Sequence, residues 1–253
     1  MLVIRKVQLN ALGGIPLSEF ELQLVRHFAR FYPRECRLAG NSQIQKLVGM
    51  GIQRALRHGY TSQREASLYV NLMIILGCDF DRDPQIPWAA QQLDDERVRG
   101  RFRRIQRVHQ SAIRYLEKTV GDNNQHIARS MIRLRDYRLE DAPSSSGTRL
   151  AADLAVLLAR FWGEKSSYQG AEAMRQLIAH AMSSAPAFGI SGGRGLTVYT
   201  TLMFMLGSGF ASDPLYPWAG RVLSDDRLPD ESARVTELHR EAISYLNQSL
   251  SAN

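Results

Sequence analysis

Cysteine is almost missing from this 253-residue chain: Cys36 and Cys78 are the only two, and neither belongs to a C-x-x-C or other metal-spaced pair. That spacing argues against a disulfide framework and against a zinc site, and it leaves two isolated small hydrophobes. No stretch approaches the about 20 apolar residues of a membrane span. The apolar patch in the opening Met1-Leu-Val-Ile-Arg-Lys6 is too short for a signal-peptide core. The chain therefore reads as cytosolic, with no membrane contact. Strand-like alternation is scarce as well. Hydrophobic residues nonetheless make up 44% of the chain, enough to bury one large core or two modest ones.

What is there is a repeat. Tyr69-Val-Asn-Leu72-Met73-Ile-Ile-Leu76-Gly77-Cys-Asp-Phe80-Asp-Arg-Asp83-Pro84-Gln-Ile-Pro87-Trp88-Ala89 returns as Tyr199-Thr-Thr-Leu202-Met203-Phe-Met-Leu206-Gly207-Ser-Gly-Phe210-Ala-Ser-Asp213-Pro214-Leu-Tyr-Pro217-Trp218-Ala219, an offset of 199 − 69 = 130. The same register runs without a gap from Leu24/Leu154 through Phe31/Phe161, Leu47/Leu177, Gly59/Gly189 and Arg104/Arg234 to Tyr115-Leu116/Tyr245-Leu246. Chance does not hold a register that long. Glu140 to Thr148, small and polar with a proline and a glycine, has the composition of an exposed linker. The expected domains are residues 1–139, a linker at 140–148, and residues 149–253. Ile127, Met131 and Leu134, at helical spacing in an arginine-rich stretch, predict an extra basic helix leading out of the first copy.

Apolar residues recur at three and four: Leu24, Phe28 and Phe31, then Ile44, Leu47, Val48 and Ile52, then Leu68, Tyr69, Leu72, Ile75 and Leu76. The expected fold is all-α: two tandem, diverged copies of a unit of roughly four helices in pseudo-symmetric arrangement. Thr61 or Ser62 is placed to cap the helix entering the motif, and Gly77 and Gly207 to end it. Asp83-Pro84 and Asp213-Pro214 read as an N-cap followed by the first helical position, with Trp88 and Trp218 closing the core over a short helix. A tandem repeat of one unit can replace a homodimer, which favours a monomer.

No catalytic, cofactor or metal residues are assigned. Asp83, Asp95, Asp213 and Asp225 occur beside turns in both copies, where capping accounts for them. His109/His239 is the best candidate base, and a histidine bonded to nearby backbone or aspartate explains it more simply. Cys36 and Cys78 become Ser166 and Ser208, a swap that packing tolerates and thiol chemistry does not. Ser191-Gly-Gly-Arg-Gly195 follows no predicted strand and makes a poor phosphate loop. The net charge of +7 bunches between Arg97 and Arg107 and again between Arg129 and Arg138. Arg97, Arg101, Arg103, Arg104 and Arg107 are the candidate partner-binding residues. Arg101, Arg103 and Arg107 face Glu231, Ala233 and Glu237 in the second copy, so the fold does not demand those charges. They suit an acidic protein face or phosphates, or form a solvated helix surface. The absence of a binding motif, and of aromatic residues interleaved beyond Phe102, disfavours nucleic acid.

The opening M-L-V-I-R-K-x-Q-L-x-A-L, the segment F-Y-P-x-x-C and above all Y-x-x-L-M-x-x-L-G-x-x-F-x-x-D-P-x-x-P-W-A resemble small helical proteins encoded in bacterial type VI secretion effector islands. The resemblance covers nearly all of the first copy and most of the second, which departs at Phe161-Trp-Gly-Glu164. It implies a dedicated protein partner, a type VI effector toxin. The chain would be a non-enzymatic immunity protein against a toxin acting in the cytosol, such as a nuclease, or a chaperone or adaptor that loads an effector. A nucleic-acid-binding module using the basic helix is the expectation from a different class.

Overall fold

The computed structural model describes residues 19–143 and 145–251; the opening Met1–Lys6 patch lies outside them. Among the described residues the protein is all-helical, with twelve α-helices and no strand. In chain order these are α1 Glu19–Phe31, α2 Pro33–Ala39, α3 Asn41–Arg57, α4 Gln63–Leu76, α5 Pro87–Leu93 and α6 Arg101–Thr119. They continue as α7 Gln125–Arg135, α8 Gly147–Phe161, α9 Gly163–Ser184, α10 Gly193–Leu206, α11 Pro217–Leu223 and α12 Glu231–Ser251. The bounds of α4 and α10, and of α5 and α11, differ by the 130 of the sequence register.

The first copy carries six helices where four were expected. Of the two short ones, α5 is the short helix expected beside Trp88, starting at Pro87 rather than Pro84, and α2 was not foreseen; each starts with a proline at its first turn, Pro33 or Pro87, where the absent N–H costs nothing. Neither is long enough to show a periodic apolar stripe. Gly40 at φ +88° separates α2 from α3, and Gly170 at φ +78° breaks α9 at the register-equivalent point. Ser62 caps α4 as expected: its hydroxyl accepts from the Glu65 amide at 3.3 Å while the Glu65 carboxylate takes the Ser62 amide at 3.1 Å. The second copy has Gly192 at that place, and the Glu231 carboxylate receives the Gly192 amide at 2.7 Å instead.

The cap reading of Asp83 and Asp213 is corrected. Ile86 and Tyr216, not the aspartates, precede α5 and α11. Each aspartate braces its own turn with one carboxylate oxygen and crosses to the other copy with the other. Asp83 accepts from the Gln85 amide at 2.8 Å and the Ser208 amide at 2.8 Å; Asp213 accepts from the Leu215 amide at 2.9 Å and the Cys78 amide at 2.8 Å. Burial pushes both carboxyls up, Asp213 to about 6, while their amide donors pull them back down. Gly77 and Gly207 meet back to back between them. A Cβ on Gly77 would lie 3.2 Å from the Leu206 carbonyl, and one on Gly207 3.3 Å from that of Leu76. Close backbone approach, together with φ of +98° and +101°, is what requires glycine at both places.

Either side of this seam has its own core. Phe28, Leu47, Tyr69, Met73, Phe80 and Ile105 pack in one, and Leu154, Leu177, Tyr199, Met203, Phe210 and Leu238 in the other. α7 is the extra basic helix that the sequence predicts. It packs on α8 and α12, so the helix that leaves the first copy covers the second. The stretch read as an exposed linker is only partly exposed: residues 139–141 form a 3-10 turn and Ala142 is buried.

Candidate partner-binding groove

The five candidate arginines do not form one strip. Arg97 Nε meets Asp95 Oδ1 at 2.8 Å and Arg107 Nη1 meets Asp95 Oδ2 at 3.2 Å, so one carboxylate answers both. Arg227 and Asp225 repeat the first of these pairs at 2.8 Å, which marks it as a brace of the turn before the last helix of each copy. The bond from Arg97 holds the Asp95 carboxyl below its usual range, and Arg227 draws Asp225 down to about 2. Arg104 Nε donates to the Val98 carbonyl at 3.0 Å, and Arg234, its register partner, donates to the Phe188 and Asp225 carbonyls. Arg101 and Arg103 are exposed and have no ion pair among the described residues.

The other candidates take structural places. Cys78 is buried, Cys36 half-buried, and both thiols are free and pushed up by burial. Thiolate chemistry needs the opposite shift. Among the described residues no cluster of three or more histidine, cysteine, aspartate or glutamate side chains is placed to hold a metal. His239 is half-buried; its Nε2 has no hydrogen-bond partner, while the ring is bonded to the Tyr137 backbone, the kind of bond the sequence reading expects, and burial pulls its pKa down against that bond. His109 instead lines an open groove.

One charged constellation escaped the sequence reading. His58 Nε2 lies 3.2 Å from Asp81 Oδ2, which also accepts from the Tyr69 hydroxyl at 2.8 Å; Arg54 pairs with Asp79 at 2.7 Å. His58 Nδ1 faces Asp94 at 3.6 Å, so both ring nitrogens are engaged and neither is free to take a substrate proton. The bond to Asp81 raises the His58 pKa. The signal was present in the register: Arg54, His58, Asp79 and Asp81 face Ser184, Phe188, Gly209 and Ala211, so a whole ionic cluster exists in one copy only.

The largest contrast between the copies is a groove formed by α1, α4 and α6. It encloses about 420 Å³ and is lined by His27, Arg64, Ser67, Leu68, Asn71, Phe102, Gln106 and His109. Four of these positions recur on α10 and α12 as Thr197, Val198, Thr201 and His239, and there the space has shrunk to about 20 Å³ because Leu134 and Tyr137 occupy it. Leu134 packs with Leu157, Phe161 and Leu246, while Tyr137 meets the Phe161 ring edge-on at 5.1 Å. Among the described residues, nothing in the first copy corresponds to α7. Phe31, the partner of Phe161, is 59% exposed against 3%, and Ile113 is 44% exposed. Arg64 stacks over Phe102 at 4.1 Å in the groove wall, and Arg30 over Phe31 at 5.5 Å at the end of α1. A second cleft of about 520 Å³ lies at the seam, with Tyr32, Ile74, Leu116, Met131, Tyr216 and Tyr245 among its walls.

No protein-family model, curated protein or solved structure matches this chain.

Proposed function

We propose that this chain is a non-enzymatic binding protein for a single protein partner. In the type VI effector setting that its motif resembles, it is an immunity protein that neutralises a toxin acting in the cytosol. The observation that carries the binding reading is the uncovered groove of the first copy. A duplicated fold buries this face in one copy and leaves Phe31 and Ile113 in water in the other. An exposed apolar face with cations beside it is the anatomy of an interface rather than of a solvated surface. The dispersal of the arginines supports a protein over a nucleic acid, since Arg97, Arg104 and Arg107 are committed to Asp95 and Val98.

The reading includes the architecture. The two copies are diverged duplicates related by a pseudo-two-fold axis through Gly77 and Gly207. The reciprocal Asp83–Ser208 and Asp213–Cys78 bonds support this, since each is the other displaced by the register. A duplicated unit fused in this way stands in for a homodimer and leaves one chain free to specialise one of its two faces.

Co-producing the chain with the neighbouring effector tests the function. Protection of the cell by the wild-type chain, lost in an Ile113→Glu chain that still folds, is the expected result. An effector already inactivated by mutation that stays insoluble without this chain would move the role to a loading chaperone. No protection and no complex would remove the binding reading.

A further inference from the structure

Copy two shows what its face accepts. α7 presents Ile127, Met131 and Leu134 toward α8 and α12, with Tyr137 completing the contact, and its outer side is basic. Arg129 of α7 reaches Glu164 at 3.5 Å, with His126 3.9 Å from the same carboxylate. The register replaces Glu164 by Arg34, Leu157 by His27 and Ala233 by Arg103. Of these only His27 lines the groove, beside Arg64; Arg34 lies in the seam cleft and Arg103 is exposed on α6, and among the described residues no carboxylate lines the groove. The open groove therefore offers an occupant the Arg64 guanidinium, with Arg103 exposed on α6, and no carboxylate in its described lining.

We propose that the α1–α4–α6 groove is the seat of an amphipathic helix from the partner. Its apolar stripe is spaced like Ile127, Met131 and Leu134, and its polar side is acidic. This rests on the protein-binding reading above and names the part of the partner that is recognised. Helix-in-groove recognition uses this spacing of anchors, and the surrounding charges set which helix is accepted. Two other occupants fit it less well on charge: α7 of a second copy is basic, and the sequence of residues 1–18 contains Arg5 and Lys6 and no acid. Phosphates would satisfy the cations and leave Phe31 and Ile113 without a role.

The test uses the full-length chain and two labelled synthetic peptides of residues 125–138, one with the native sequence and one carrying Arg129→Glu, Arg133→Glu and Arg135→Glu. Fluorescence anisotropy should show the acidic peptide binding, with affinity falling as salt is raised. Ile113→Glu and Phe31→Glu chains, with unchanged melting temperatures because both side chains are exposed, should bind it at least about tenfold more weakly. The native basic peptide should bind more weakly by a similar factor. Failure of the acidic peptide to bind, or equal binding by the Ile113→Glu chain, overturns the proposal. Binding seen only after Ile4→Glu and Val7→Glu also overturns it, because the chain's own opening segment would then hold the groove. If the Ile113→Glu chain retains a native effector at wild-type strength, the protein-binding reading survives and the groove is not its site.

Discussion

Phe31 and Phe161 occupy the same step of the 130-residue register at the end of equivalent helices, yet one is 59% exposed and the other 3%. The difference lies outside both helices. Chain that leaves the first copy folds as α7 across the second, and Leu134 fills a space that stays open, at about 420 Å³, on the first. Comparing positions related by the 130-residue sequence register thus separates the demands of the fold from those of something else. Where both copies agree, as at Gly77/Gly207, Asp83/Asp213 and Asp95/Asp225, the shared residue makes a bond that the architecture uses. Where they part, at Phe31, His27, Arg34 and Arg103, the first copy carries groups that its own core does not use.

The agreement breaks most sharply if the seam is attacked. Asp213→Ala leaves the buried amides of Cys78 and Leu215 without acceptors, and Asp83→Ala does the same to Ser208 and Gln85. At about 2 kcal/mol per orphaned amide, each substitution should cost about 4 kcal/mol. Urea unfolding should find the two losses similar, and a large loss in one alone would mean that the seam is not shared equally.

The contrast between the grooves comes next. Leu134→Ala removes the side chain that seals the second groove and should cost about 3 kcal/mol. Ile113→Ala, on the open one, should stay within about 0.5 kcal/mol, as for other exposed positions. Similar losses from the two would mean that both grooves are filled.

A smaller effect should come from Lys165, which stands where the first copy has Glu35. Its ammonium is buried, donates to the Phe204 carbonyl and lies 5.0 Å from the Trp162 ring. Burial lowers its pKa to about 8 from the ordinary 10.5, so the folded chain sheds this proton before the unfolded one does. Between those values the unfolded state binds more protons, and stability rises with pH. Lys165→Met should flatten that rise in melts taken from pH 8 to 10.

The smallest effect belongs to the ionic cluster found in the first copy alone. His58 is raised by Asp81, so its contribution is fully present below the ordinary 6.5 and fades as pH climbs through the raised folded value. His58→Phe, which installs the residue found at Phe188, should erase the slope. A slope that persists in this variant would have to come from another group.

Much of this was legible in the chain itself. The register gave the equivalent helices, Ser62 was recognisable as a cap, and Ile127, Met131 and Leu134 announced α7. Asp83 and Asp213 were misread because an aspartate before proline has a local explanation; that its second oxygen crosses to another copy is visible only once the copies face each other. The arginines looked like a patch because sequence proximity hides direction. Arg97, Arg104 and Arg107 turn toward Asp95 and a carbonyl, and only Arg101 and Arg103 remain unpaired among the described residues. The groove was not legible, because its outline depends on which copy α7 covers, and spacing alone does not say that a helix leaving one unit will lie on the next.

The central proposal is that the face around Phe161 is closed by α7, whereas the register-equivalent face around Phe31 is open to a partner. Unfolding free energies of Phe31→Ala and Phe161→Ala, measured side by side in urea, test it most directly. Phe161→Ala should lose about 3 to 4 kcal/mol, and Phe31→Ala less than about 1 kcal/mol. Equal losses would contradict the account, since they would mean that the face around Phe31 is already covered in the folded chain.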